Sequence, residues 1–232
     1  MPLPASQPVP EGLSTTAEGL RIEREHSVLT LTIDRREDQN RLTPQVLTRL
    51  LALTDALRED RGASVLVITG AGDEVFSMGL LNPAIRASYS KDDIVRLVRF
   101  ANRVFDAIEA LPQIVIAAIN GMVGAGAAEL CLACDLRYAA SHASLCMPEA
   151  GWGGFPGAGA PVRLPMLVGR ARALEMICTG REVDATELER IGLIQAIYPR
   201  ESFAASVVNV ARRIGDSGPL ALRGAKRIAC LP

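Results

Sequence analysis

Residues 114–140 read IVIAAINGMVGAGAAELCLACDLRYAA, and their pattern decides the fold. Behind Gln113, the six residues Ile114–Ile119 form a continuous apolar run, rich in isoleucine, of the kind found in strands buried on both faces. Glycine and alanine then alternate over Gly124, Ala125 and Gly126, and an apolar helical run follows with one carboxylate, Glu129, inside it. LRYAA and, a little later, SLCMP read as short strand pieces. Strand, small-residue turn, helix and strand in that order are an α/β unit, with right-handed crossovers and a largely parallel sheet.

The alternation extends both ways from this stretch. Residues 27–33 (SVLTLTI) and 64–70 (SVLVITG) predict strands. Residues 43–60 predict a helix, with Thr43 as N-cap, Pro44 in the first turn and Val46, Leu50, Leu53 and Leu57 as an apolar stripe. Residues 91–110 predict another, with Ile94, Leu97, Val98, Ala101, Val104, Phe105 and Ile108 on one face and Asp92 and Asp93 near its positive end. AGDEVFSMGLLNP (71–83) and AGWGGFPGAGAP (150–161) read as glycine-bearing loops. Helices are expected around 162–168, 171–179 and 185–191, then a strand, LIQAIY, and two closing helices over 201–215 and 219–230. Residues 1–19, rich in Pro, Ser and Thr, are expected to be a disordered tail. The core is expected over 20–200, and no internal repeat is seen.

Composition narrows the functional classes. The chain has 232 residues, 49% hydrophobic and 22% charged, enough for one large core. A net charge of −1 without an arginine-rich run, and only 4% aromatic residues, argue against nucleic-acid binding. No apolar run reaches the length of a membrane span. The N-terminus lacks the basic and apolar regions of a secretory signal. Five cysteines outside any loop-rich framework point to reduced thiols and a cytoplasmic protein.

Two glycine and cysteine motifs invite other readings. Gly124-Ala-Gly126 follows a strand and opens a helix, as a dinucleotide fingerprint does. Glu129, however, would bring negative charge toward a pyrophosphate, and Glu149 lies in a Pro-Glu turn, not at the end of the next strand. Cys131 and Cys134 form a CxxC inside an apolar helix, which favours packing over redox chemistry. With only His26 and His142 in the chain, zinc sites and histidine-based triads have little support.

The carboxylates carry more. Glu129 alone reads as a buried acid paired with an arginine such as Arg137, and Glu149 alone as a loop acid. As a pair they fit general acid–base work, holding a water between them. Gly126, at a helix N-terminus, would let a ligand reach a free backbone N–H. The loop FSMGLL could supply a second donor from Leu80, with Gly79 permitting the turn. Two such donors stabilise an enolate.

Together LTIDRREDQNRL, VLVITGAGDEVFSMG, the opening stretch, MPEAGWGGFPGAGA and GREVDATELERIGLI resemble the enoyl-CoA hydratase/isomerase (crotonase) superfamily, from about residue 28 to 230. The resemblance implies a spiral of ββα units with C-terminal trimerising helices, of which 201–232 would be the start. It implies a homotrimer or dimer of trimers, an acyl-CoA thioester substrate, no metal, and no cofactor beyond the coenzyme A of the substrate. By position, Leu80 and Gly126 supply the oxyanion amides, and Glu129 and Glu149 are the catalytic acids. Substrate contacts fall on Met78, Gly79, Leu81 and Asn82 of the loop, on Arg41 of the NRL segment and on Trp152. Arg35 and Arg36 read equally as phosphate partners or as a solvated charged turn. Two departures stand out: Met-Gly-Leu-Leu replaces the family's usual Ala-Gly-Ala-Asp, and the usual further C-terminal helices do not follow. The resemblance implies hydration of a 2-enoyl-CoA, with isomerisation in the same fold or acyl-CoA binding with weak catalysis as alternatives.

Overall fold

The computed structural model describes Thr16, Ala17 and residues 19–229. Thr16–Ala17 (β1) pairs antiparallel with Leu20–Glu25 (β2), which pairs antiparallel with Val28–Ile33 (β3). Both β1 and β2 escaped the sequence reading, and β1 lies within the span expected to be a disordered tail. The rest of that tail, other than Gly19, is outside the described residues. β2 hides because only Leu20 and Ile22 of LRIERE face the core.

Pro44–Glu59 (α1) starts as expected: the Thr43 hydroxyl accepts the Val46 N–H at 3.3 Å. Val65–Gly70 (β4) follows, and then Val75–Ser77 (β5) and Pro83–Ala87 (α2) emerge from a segment expected to be loop. Lys91–Glu109 (α3) is capped by Ser90, whose hydroxyl accepts the Asp93 N–H at 3.1 Å. Ile114–Ile119 (β6), Met122–Gly124 (β7), Gly126–Leu132 (α4), Leu136–Ala140 (β8) and Ser144–Cys146 (β9) come next. Ala160–Val168 (α5), Arg170–Thr179 (α6), Val183–Asp184 (β10), Ala185–Arg190 (α7), Ala196–Tyr198 (β11), Phe203–Gly215 (α8) and Pro219–Ala229 (α9) complete the described chain.

Two sheets result. The seven-stranded sheet runs β1-β2-β3-β4-β6-β8-β11, parallel from β3 onward, and the four-stranded sheet runs β10-β9-β7-β5. Successive units send one strand to the large sheet and the next to the small one before a helix: β4, β5, α2–α3; then β6, β7, α4; then β8, β9, α5. That repetition is a spiral of ββα turns. Val65 to Ile68 and Val115 to Ile119 are almost wholly buried, as central parallel strands require.

α8 and α9 fold back on their own chain. α8 lies against β3, β4, β6 and β8, burying Phe203, Val207 and Ala211. α9 is anchored by Lys226, whose Nζ donates to the Gln113 carbonyl at 2.9 Å and meets Asp135 Oδ2 at 2.7 Å. Cys131 and Cys134 pack in the core, where burial pushes the Cys134 thiol up to about 12.

Candidate active site

The site is built where the small sheet meets α4. β7 ends at Gly124, and the chain must turn sharply before α4 can begin. Ala125 makes that turn at φ 51° and ψ −130°, a region that costs a non-glycine residue on the order of 1–3 kcal/mol. Its N–H donates to the Cys146 carbonyl of β9 at 3.0 Å, which ties the strained turn to the sheet. The turn leaves Gly126 as the first residue of α4, its N–H at the positive end of the helix.

The Met78–Leu80 loop is held against this helix start. Gly79 adopts φ +70°, and a Cβ on it would sit 2.7 Å from the Gly126 nitrogen and 2.6 Å from the Gly124 carbonyl oxygen. The NRL segment pins the loop from behind: Leu42 N–H donates to the Gly79 carbonyl at 3.0 Å, and Arg41 Nη1 to the Met78 carbonyl at 3.0 Å. Leu80 lies over the glycine, its Cδ1 only 2.5 Å from where a Cβ on Gly126 would stand. Among the described residues, neither the Leu80 nor the Gly126 N–H has a hydrogen-bond acceptor. Both residues line a cavity of about 500 Å³.

Both glutamates line the same cavity. Glu129, on the first turn of α4, is 2% exposed, and its Oε1 accepts the Ala160 N–H at 3.1 Å. Burial, offset in part by that hydrogen bond and reinforced by the Glu149 charge, raises its carboxyl to about 7. Glu149 stands in a 3₁₀ turn, Pro148–Trp152, and its Oε2 is buried without a partner. Burial raises it, too, to about 7. Near neutrality, such a pair can hold one carboxylate and one carboxylic acid together, which acid–base catalysis requires.

Leu81 and Trp152 also line the cavity, whereas Met78, Asn82 and Arg41 do not. Met78 packs its thioether against Gly124. The Asn82 side chain caps α2, accepting the Ile85 N–H at 2.8 Å. Arg41 is buried beneath the loop, its guanidinium donating to the Met78 carbonyl and to Gln39 Oε1 and pairing with Asp38 at 3.5 Å. These three shape the loop and do not touch the cavity. Gly79 stands behind the two amides. Arg35 pairs with Asp38 at 3.2 Å, and neither Arg35 nor Arg36 reaches the cavity.

Arg137 is not the partner of Glu129. Its guanidinium donates to the carbonyls of Leu193, Cys134 and Cys131 at 2.7, 2.6 and 3.3 Å. The arginine that matters is Arg163 of α5, which the sequence reading passed over. It donates to the Ala158 carbonyl at 3.2 Å and to Glu109 Oε2 at 2.8 Å, with Asp106 also bonded. It thereby braces the turn that carries the Ala160 N–H. No short motif marks it, because its carboxylate partners are more than fifty residues upstream on α3.

Residues 23–229 match the model of a family described as enoyl-CoA hydratase/isomerase. A crotonyl-CoA hydratase of Syntrophomonas wolfei is 35% identical over 212 residues, covering 91% of this chain and 81% of that protein. An enoyl-CoA hydratase crystal structure from Bacillus anthracis superposes with a TM-score of 0.87 at 34% identity, covering 90% of this chain and 81% of the other. A monofunctional enoyl-CoA isomerase from M. smegmatis superposes with a TM-score of 0.76 at 32% identity, covering 91% of each. The chain belongs to the enoyl-CoA hydratase/isomerase family and has its crotonase fold.

Proposed function

We propose that the protein is an enoyl-CoA hydratase that adds water across the C2=C3 bond of a trans-2-enoyl-CoA thioester. One observation carries the reading: two carboxyl groups raised to about 7 and two unbonded backbone N–H groups line one cavity. The thioester oxygen would accept hydrogen bonds from Leu80 and Gly126. Ionised Glu129 takes a proton from water as its oxygen attacks C3, and electron density moves onto the thioester oxygen as an enolate. Protonated Glu149 delivers its proton to C2 as the enolate collapses. In this reading both carboxyl groups act on the same face of the double bond, which makes the addition syn. Preorganised amide donors are worth about 3–4 kcal/mol each at such a transition state.

In this reading no metal or separate cofactor takes part, and coenzyme A enters and leaves with the substrate. Val162, Met166 and Leu174 leave exposed apolar surface on α5 and α6. Assembly as a homotrimer or dimer of trimers would cover it. Among the described residues no helix is long and apolar enough to cross a membrane.

A second reading, delta-isomerisation, has one observation in its favour. Glu149 Oε2 is buried without a partner, as a lone carboxyl carrying a proton between C2 and C4 would be. Crotonyl-CoA and a 3-enoyl-CoA separate the two. Loss of the conjugated enoyl absorbance from the first supports hydration. Its appearance from the second, without loss from the first, overturns hydration in favour of isomerisation.

A further inference from the structure

The two glutamates do not exhaust the charge in the cavity, because Arg86 and Arg99 line it as well. Arg86 reaches from α2 to the Trp152 carbonyl at 2.9 Å, a neutral acceptor that leaves its charge uncompensated. Arg99 stands on α3 beside Ile94, Val95 and Val98, which form the same wall. Among the described residues neither arginine pairs with a carboxylate.

The helix itself offers Arg99 no relief. Its neighbours three and four residues away are Val95, Arg96, Asn102 and Arg103, none of them acidic. Arg96 is already bonded to Asp93, and Arg103 lies over the Phe100 ring, 5.1 Å from its centroid. Like charges at this spacing repel. Arg86 is half-buried and Arg99 exposed, so the cavity pairs an apolar wall of Leu81, Ile94 and Val98 with two arginines that have no carboxylate partner among the described residues, which suits an anion carried on a short hydrocarbon.

Resting on the enoyl-CoA reading above, we infer that the cavity takes an enoyl-CoA whose acyl tail ends in a carboxylate, received by Arg99 with Arg86 beside it. A coenzyme A phosphate would offer similar chemistry. The arginines, however, share one cavity with the acid–base pair and the two amides, whereas the whole pantetheine arm separates the thioester from the first phosphate.

Saturated thioesters test the subsite without turnover. Glutaryl-CoA is compared with pentanoyl-CoA, and adipoyl-CoA with hexanoyl-CoA, by titration calorimetry on the intact protein. At least one carboxylate-bearing ester should bind ~10-fold more tightly than its uncharged match. Arg99→Gln should bring that ratio near unity. Arg103→Gln, which removes the same charge one turn along α3 outside the cavity, should leave it standing. Equal affinities in the wild type, or a ratio that survives Arg99→Gln, overturn the inference. Equal weakening of both members of a pair by Arg99→Gln assigns the arginine to a phosphate and overturns it too. If the carboxylate preference is present but neither crotonyl-CoA nor glutaconyl-CoA is hydrated, the subsite stands and the hydratase reading falls. If no ester binds, both fall.

Discussion

Glu129 Oε1 accepts the backbone N–H of Ala160 at 3.1 Å, which joins the first turn of α4 to the first residue of α5. The bond leaves the carboxylate oriented but only partly compensated, and burial prevails, holding the group near neutrality. As a general base, such a group contributes about 10²–10⁴-fold. Glu129→Gln should therefore lower kcat for crotonyl-CoA by about that factor, while an unchanged circular dichroism spectrum shows that the fold survives. A rate near wild type would remove Glu129 from the mechanism.

Glu149 differs in having an unpartnered buried oxygen. Both the hydration and the isomerisation readings need its proton. Glu149→Gln should abolish nearly all turnover of crotonyl-CoA and of a 3-enoyl-CoA alike, again by roughly 10²–10⁴-fold. An active Glu149→Gln protein in both assays would sink the two enzymatic readings together.

The same burial makes a prediction about pH. Both carboxyl groups rise from 4.5 to about 7 on folding, so the folded protein keeps protons that the unfolded chain releases. Their contribution to stability is complete below about pH 4.5 and is lost as pH rises through about 7. Glu129→Gln, which cannot ionise, should melt several degrees above wild type at about pH 8.5, with the gap closing by about pH 5. A gap independent of pH would mean that the Glu129 carboxyl titrates alike in the folded and unfolded chain, so that burial does not raise it. Hydration should meanwhile peak near neutrality, because one group must be ionised while the other holds a proton.

Much of this was legible in the sequence, and the parts that were not share a cause. The buried parallel strands and the cap at Thr43 are local signals, complete within a few residues. Glu129 stood out because a lone acid in an apolar helix is a local contradiction. β5 and β7, at three residues each, are too short to show a period, and their pairing to each other spans about fifty residues of chain. Arg41 and Asn82 are expected at the substrate from their place in the motif alone, and neither lines the cavity. Only the fold shows that Arg41 turns toward the Met78 carbonyl and Asn82 toward α2. Arg163 and Arg99 look like ordinary helical surface charges until α3, α5 and the glycine-rich turn are brought together.

Gly79 and Gly126 are adjacent in space yet should fail differently. Alanine at Gly79 must adopt φ +70° and meets backbone atoms of Gly124, Gly126 and Ala127 within 2.9 Å. Left-handed geometry alone costs roughly 1–2 kcal/mol, so Gly79→Ala should lower the melting temperature by several degrees and disable the site. Alanine at Gly126 meets only the Leu80 side chain, whose tip can swing aside. Gly126→Ala should stay within a few degrees of wild type but lose about 10²-fold in kcat as Leu80 is driven toward the two amides. The double variant Gly126→Ala with Leu80→Ala should recover much of that loss. Failure of the second change to rescue the first would mean that the Leu80 side chain is not the obstacle.

Arg163 acts on the site through the turn it braces and through its charge. It bonds the Ala158 carbonyl and the Asp106 and Glu109 carboxylates, and its charge draws the Glu129 carboxyl downward against the effect of burial. Removing it should loosen the Ala160 N–H and let the Glu129 carboxyl rise further. Arg163→Gln is expected to cut kcat by roughly tenfold, since small misplacements near reacting atoms carry large rate costs. The sharper sign is in the pH profile. A general base whose carboxyl has risen becomes ionised only at higher pH, so the acidic limb should move upward. Arg163→Lys keeps the charge without the guanidinium fork and should restore the limb more fully than the rate. A lowered rate with an unmoved acidic limb would show that Arg163 serves folding alone and does not tune Glu129.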